Sequence, residues 1–211
     1  YARFALRRVK MPKTIKGHAA PLPLANVDTD VIMPKRFLIT ITREGLADGT
    51  FADLRFDDAG APRPDFILNQ TPWNKATILI VGDNFGCGSS REHAVWGMAQ
   101  LGFTAAIGTG FAGIFYDNAR KNGLALPIVT PEVRDQLMTL AADPDGGEFC
   151  INIETRTITA SNITVPFQID GATQNALIRG GDDTLDTLEY AETIRAFEAG
   201  LTDKMRVRVI K

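Results

Sequence analysis

Residues 82–94 read Gly-Asp-Asn-Phe-Gly-Cys-Gly-Ser-Ser-Arg-Glu-His-Ala, and no other stretch limits the chain's possible folds as strongly. An apolar run at 76–81, Ala-Thr-Ile-Leu-Ile-Val, leads into it. Ala94, Val95, Met98 and Leu101 follow at helical spacing. A buried strand, a glycine-rich turn and a helix over 90–101 are therefore expected. Gly82, Gly86 and Gly88 allow positive φ and let a ligand approach the backbone closely. Ser89 stands where an N-cap belongs, and Glu92 three residues on completes a capping box. The free amides and the positive dipole end of such a helix favour an anion. Arg91 adds a fork shaped for a carboxylate or phosphate. Three glycines, two adjacent hydroxyls and an arginine exceed what a cap alone requires.

The flanking chain supplies an α/β context. After the turn, strands are expected at 104–107 and 124–129, with helices at 112–121 and 132–142, the last opened by Pro131. Strands alternating with helices imply parallel pairing and right-handed crossovers. From Glu148 the pattern changes to three β-rich runs, 149–153, 157–160 and 163–169, with short connections, as in a hairpin or meander. Helices are expected again at 173–178 and 185–199. Upstream, residues 17–31 hold apolar residues around Pro21 and Pro23, which suits an edge strand or extended loop. Asp28, Thr29 and Asp30 end that stretch and read as turn chemistry or as a pair of site carboxylates. Residues 43–75 are rich in Gly, Pro and Asp with scattered aromatics, and are expected to form a long excursion serving as a lid or binding loop. The expected organisation is an N-terminal extension at 1–12, one domain over 13–200 with the 43–75 loop inserted, and a tail at 201–211.

Composition excludes several classes. With 211 residues, 45% of them hydrophobic and 23% charged, the chain suits a globular core. A net charge of −2 argues against nucleic acid as a partner. No apolar run is long enough for a membrane span. Two cysteines, Cys87 and Cys150, give no disulfide framework, as expected of a reducing, cytoplasmic setting. With only two histidines besides, the chain lacks the ligands for a self-contained iron–sulfur or zinc site, so no metal is expected on it.

Two glycine patterns mislead. Residues 108–113, Gly-Thr-Gly-Phe-Ala-Gly, match the dinucleotide fingerprint between a strand and a helix. The following strand, however, ends at Thr130 and Pro131 without the acid that would hold a ribose. The turn at 82–91 fails as a phosphate loop, because no lysine precedes its serines and its glycine spacing differs.

The motif at 82–94 resembles the signature of the swivelling domain of the aconitase superfamily, and within it the small subunits of 3-isopropylmalate dehydratases. The likeness continues through Phe111-Ala112, Ile114-Phe115, Asn118 and 121–123, and upstream through 26–30 with Pro34, covering roughly 13–170. It implies an α/β fold, a three-layer β/β/α swivel domain with a mixed, largely parallel sheet. It also implies a separate large subunit carrying a [4Fe–4S] cluster, a hydroxy-dicarboxylic acid as substrate, and dehydration followed by rehydration in leucine biosynthesis. By resemblance Ser89 is the catalytic base, Ser90 and Arg91 bind a substrate carboxylate, and Arg36 matches another carboxylate-binding arginine. Gly82, Asn84, Gly86 and Gly88 shape the supporting turn. His93 is expected to be a structural hydrogen-bonding group. The likeness departs after Ile169-Asp170, where Gly-Ala-Thr-Gln-Asn-Ala follows and no basic residue appears before Arg179. A related hydro-lyase acting on a methylmalate-type or homologous acid, and a non-catalytic anion-binding module, stay open as alternatives.

Overall fold

A computed structural model describes residues 13–38, 44–89, 91–179 and 190–200. The chain enters through β1 (Thr14–Gly17), crosses at His18 and continues as β2 (Ala19–Leu22). The crossing is tight: a Cβ on Gly17 would lie 2.0 Å from Thr77 Oγ1. β3 (Ile78–Val81) and β4 (Ala105–Ile107) complete a parallel sheet in the order β2-β3-β4. β2 is an edge strand, which is where Pro21 can be accommodated without losing an interior ladder bond. β5 (Phe149–Asn152), β6 (Thr157–Ala160) and β7 (Ile163–Pro166) form an antiparallel meander joined by β1, in the order β1-β5-β6-β7.

Residues 124–129 only partly form the expected strand. They bridge β4 in parallel at Ala105–Ala125 and Gly108–Ile128. Pro127 has no N–H to give, and the ladder breaks around it. Ile128 instead exchanges two backbone bonds with Gln168, joining this segment to the chain that leaves β7.

The parallel strands are buried on both faces, so they read as continuous apolar runs. Ala20, Leu22, Leu79, Val81 and Ala106 point into one core with the helices α1 (Thr29–Ile32), α2 (Leu46–Gly49), α4 (Glu92–Leu101) and α5 (Gly113–Lys121). Between α2 and α4 lies α3 (Ala52–Arg55). Ala19, Ile78, Ile80, Ala105 and Ile107 point into a second core against the meander, α6 (Pro131–Ala142) and α7 (Gly171–Arg179). The result is the expected β/β/α layering, and α8 (Ala191–Gly200) adds a helix with no buried residue.

The described part of 43–75 is built into the first core and is not an open excursion. Leu46 and Phe51 are fully buried, and α2 packs along α4. Trp73 donates its Nε1–H to the Ala141 carbonyl at 2.7 Å, tying the segment to α6. These contacts anchor 44–56 and 66–75 on the core, while 57–65 stay exposed. The expected extension, tail and residues 39–43 lie outside the described residues.

The helix over 90–101 begins two residues later than expected, and its capping box is absent. Arg91 occupies the N-cap position with no side-chain cap bond. Glu92 reaches across to Asn122 Nδ2 at 2.7 Å, while Asn122 Oδ1 accepts from Trp96 Nε1 at 2.9 Å. Asn122 is the C-cap of α5, so Glu92 fastens two helices together.

Candidate active site

Parallel strands point the same way, so the loops after β2, β3 and β4 gather at one edge of the sheet. Ligands in open α/β sheets bind at such an edge. The turn after β3 is threaded between its two neighbours. Asn26 N donates to Asp83 O at 2.8 Å and Gly86 N to Val27 O at 2.8 Å. On the other side, Ala112 N donates to Phe85 O at 3.2 Å.

Gly86 has φ of +76°, and a Cβ there would lie 2.3 Å from Phe115 Cγ. Gly82 does not have positive φ. It is needed because a Cβ would come within 2.3 Å of the Leu24 carbonyl oxygen. Asn84 takes the left-handed conformation, with φ of 57°, and its Nδ2 donates to Asn26 Oδ1 at 2.9 Å. Phe85 anchors the turn from below, fully buried and edge-on to Phe115 with ring centroids 5.5 Å apart. Asp83 accepts from Thr109 Oγ1 at 2.6 Å and pairs with Arg134 of α6 at 3.0 Å. The hydrogen bond from Thr109, aided by the Arg134 charge, holds the Asp83 carboxyl below the usual carboxylate range.

The exposed crest of the turn is Gly88 and Ser89. Among the described residues, the amides of these two make no hydrogen bond, leaving donors free for an anion. Arg91 lies beside them with its side chain only 14% exposed, and pairs through Nη1 with Asp30 Oδ1. The hydrogen bond from Arg91, opposed by a smaller desolvation cost, lowers the Asp30 pKa, and the charges of Arg91 and Lys35 act in the same direction. Asp28 caps α1 by accepting from Val31 N at 2.8 Å. Thr29 N donates to Cys87 O and Thr29 Oγ1 to Ser89 O, each at 2.9 Å.

The structure therefore brings together Ser89, Arg91 and the supporting residues Gly82, Asn84, Gly86 and Gly88. Ser90 lies outside the described residues. Arg36 is engaged elsewhere: its Nη2 lies 2.5 Å from Asp53 Oδ1, and the pair lines a separate cleft of about 690 Å³. His93 meets Trp96 ring to ring, with centroids 4.8 Å apart, and among the described residues no hydrogen bond of its side chain is found. Thr29 and Asp30 hold the turn in a way that the chain's local pattern understates. Their partners lie 60 and 61 residues away, and only the alternation of polar groups over 28–30 hints at them. Among the described residues, no three His, Cys, Asp or Glu side chains are placed to hold a metal. Cys87 and Cys150 are free thiols.

The β/β/α layering, with an anion-ready turn at the edge of its parallel sheet, defines the class: the chain belongs to the aconitase C-terminal domain family, which matches residues 9–133. Closer relatives narrow the comparison. A 3-isopropylmalate dehydratase small subunit of Rhodospirillum centenum is 48% identical over 187 residues, covering 88% of this chain and 92% of the relative. A 3-isopropylmalate dehydratase small subunit 2 of Salmonella typhimurium is 46% identical over 186 residues, covering 88% and 89%. The crystal structure of a 3-isopropylmalate dehydratase from Methanocaldococcus jannaschii superposes with a TM-score of 0.63 at 28% identity, covering 88% of this chain and 99% of that one.

Proposed function

We propose that this chain is the small subunit of a 3-isopropylmalate dehydratase, a hydro-lyase that interconverts 2- and 3-isopropylmalate by dehydration and rehydration in leucine biosynthesis. Identity near one half along nearly the whole length of named relatives carries the reading. The exposed Ser89 beside a mostly buried arginine is the feature of this chain that fits the chemistry.

Dehydration removes a proton next to a carboxylate and expels hydroxide. Arg91 would hold one substrate carboxylate, exchanging its Asp30 contact for, or sharing it with, the ligand. The free amides of Gly88 and Ser89 add donors for a second anionic oxygen. Ser89 would take the proton; its alkoxide is favoured by the arginine and by the positive end of α4. The described residues offer no set of ligands for an iron–sulfur group, so the [4Fe–4S] cluster belongs in this reading to a large subunit. When bound there, it supplies the Lewis acidity that helps hydroxide leave. Each step assigned to this chain is binding, orientation or proton transfer.

The test uses the assembled complex of this chain with a cluster-loaded large subunit. Ser89→Ala should lower turnover by about a hundredfold or more while largely preserving substrate binding. Arg91→Lys keeps the charge but loses the two-pronged contact, so it should raise KM as well as lower turnover. Near-normal kinetics for both variants would reduce the turn to a helix start. Robust turnover by the isolated, metal-free chain would refute the subunit reading.

A further inference from the structure

We infer that Thr29 is a positioning residue, whose buried hydroxyl fixes the orientation of Ser89 for proton transfer. The inference rests on the reading of Ser89 as the base. The turn has little internal means of holding that serine still. Gly88 before it has φ of +89° and no side chain to wedge. Arg91 after it begins α4 without a side-chain cap bond. Among the described residues, the one hydrogen bond made by Ser89 is its carbonyl's contact with Thr29 Oγ1, at 2.9 Å.

Thr29 is well suited to that task. It is 2% exposed, so its hydroxyl is shielded from bulk water and donates to the Ser89 carbonyl. Its own backbone is fixed at both ends. Its N–H donates to Cys87 O at 2.9 Å, and its carbonyl accepts from Met33 N at 2.9 Å. The neighbouring Asp28 side chain caps the same short helix. One rigid residue thus grips the carbonyls of Cys87 and Ser89, which bracket Gly88. Holding those two carbonyls restricts the directions in which the Ser89 Cα–Cβ bond can leave the turn. Asp30, next in the chain, holds Arg91. Three consecutive residues therefore place base and anchor together, with the Thr29 hydroxyl buried beneath the exposed crest.

The experiment compares Thr29→Val with Thr29→Ser in the assembled complex. Valine keeps the shape and removes the donor; serine keeps the donor and removes a methyl group. Thr29→Val should lower kcat by about tenfold to a hundredfold, the range in which small misplacements act. KM should change less than about threefold, because Arg91 keeps its own tether. Proton abstraction should also limit turnover more fully. The primary deuterium isotope effect, measured with substrate deuterated at the carbon that loses its proton, should therefore rise in Thr29→Val. Thr29→Ser should restore both kcat and the isotope effect. If Thr29→Val fails to assemble, Thr29→Cys, with a much weaker donor of similar size, takes its place. Wild-type kcat and isotope effect in the donor-poor variant, with Ser89→Ala inactive, would overturn the positioning role alone. An active Ser89→Ala would overturn the assignment of the base itself.

Discussion

Replacing Gly86 with alanine tests whether the turn is held as described. Two costs add. An L-residue at φ of +76° is strained by about 1–2 kcal/mol. The new methyl would also sit 2.3 Å from Phe115 Cγ, whereas ordinary contact begins near 3.4 Å, so something must move by about an ångström. Phe115 is 2% exposed and already packed edge-on to Phe85, itself fully buried. It has little room to retreat. Overpacking of this kind costs about 1–3 kcal/mol. The sum is about 2–5 kcal/mol, to be read from urea unfolding as a fall in midpoint at constant slope. Because Phe85 O accepts from Ala112 N, the displacement should spread to the loop after β4 and depress turnover in the assembled complex. A loss below about 0.5 kcal/mol would mean that the turn yields easily, and the argument for a preset crest at Gly88 and Ser89 would fail.

Two further outcomes are expected. Asp30→Asn should loosen Arg91 and raise KM. Since the folded Asp30 pKa lies below its ordinary value of about 3.9, the stability it contributes is present above that value and lost as pH falls through the lower folded one. The difference in melting temperature between wild type and Asp30→Asn should therefore shrink on acidification through that window; a difference independent of pH would refute the linkage. Trp73→Phe leaves the Ala141 carbonyl without its 2.7 Å partner and should cost about 1–3 kcal/mol in thermal or urea melts. A neutral result there would restore the idea of 44–75 as a loosely attached lid.

The sequence was most legible where local chemistry settles the structure. The β-rich composition of 149–153 and 157–160 marked β5 and β6, and Pro131 marked the start of α6, whose Thr130 cap is present. It was least legible where a distant partner decides. Ser89 and Glu92 have the spacing of a capping box, yet Thr29 takes the Ser89 carbonyl and Asn122 takes the Glu92 carboxylate. Residues 44–75 look loop-like because their apolar groups lack a period. Leu46, Phe51, Leu68 and Trp73 nevertheless reach the core, each from a separate short turn. The residue types needed at the site could be read at once. The grip of 28–30 on the turn could not, since no local pattern encodes a bond across 60 residues.

The pairing of β1 with β5 has a consequence for how such a chain is made. Thr14 faces Asn152, so the fourth strand of the antiparallel sheet is recruited from the opposite end of the described chain. The meander β5-β6-β7 closes through short, local connections, which form early and quickly. Until it has been synthesised, Ile78, Ile80, Ala105 and Ile107 have no antiparallel layer to cover them. A nascent chain halted before residue 149 therefore carries one finished face and one that, of the elements in its core, α6 alone can cover. The ribosome must deliver β5 before β1 can find its partner.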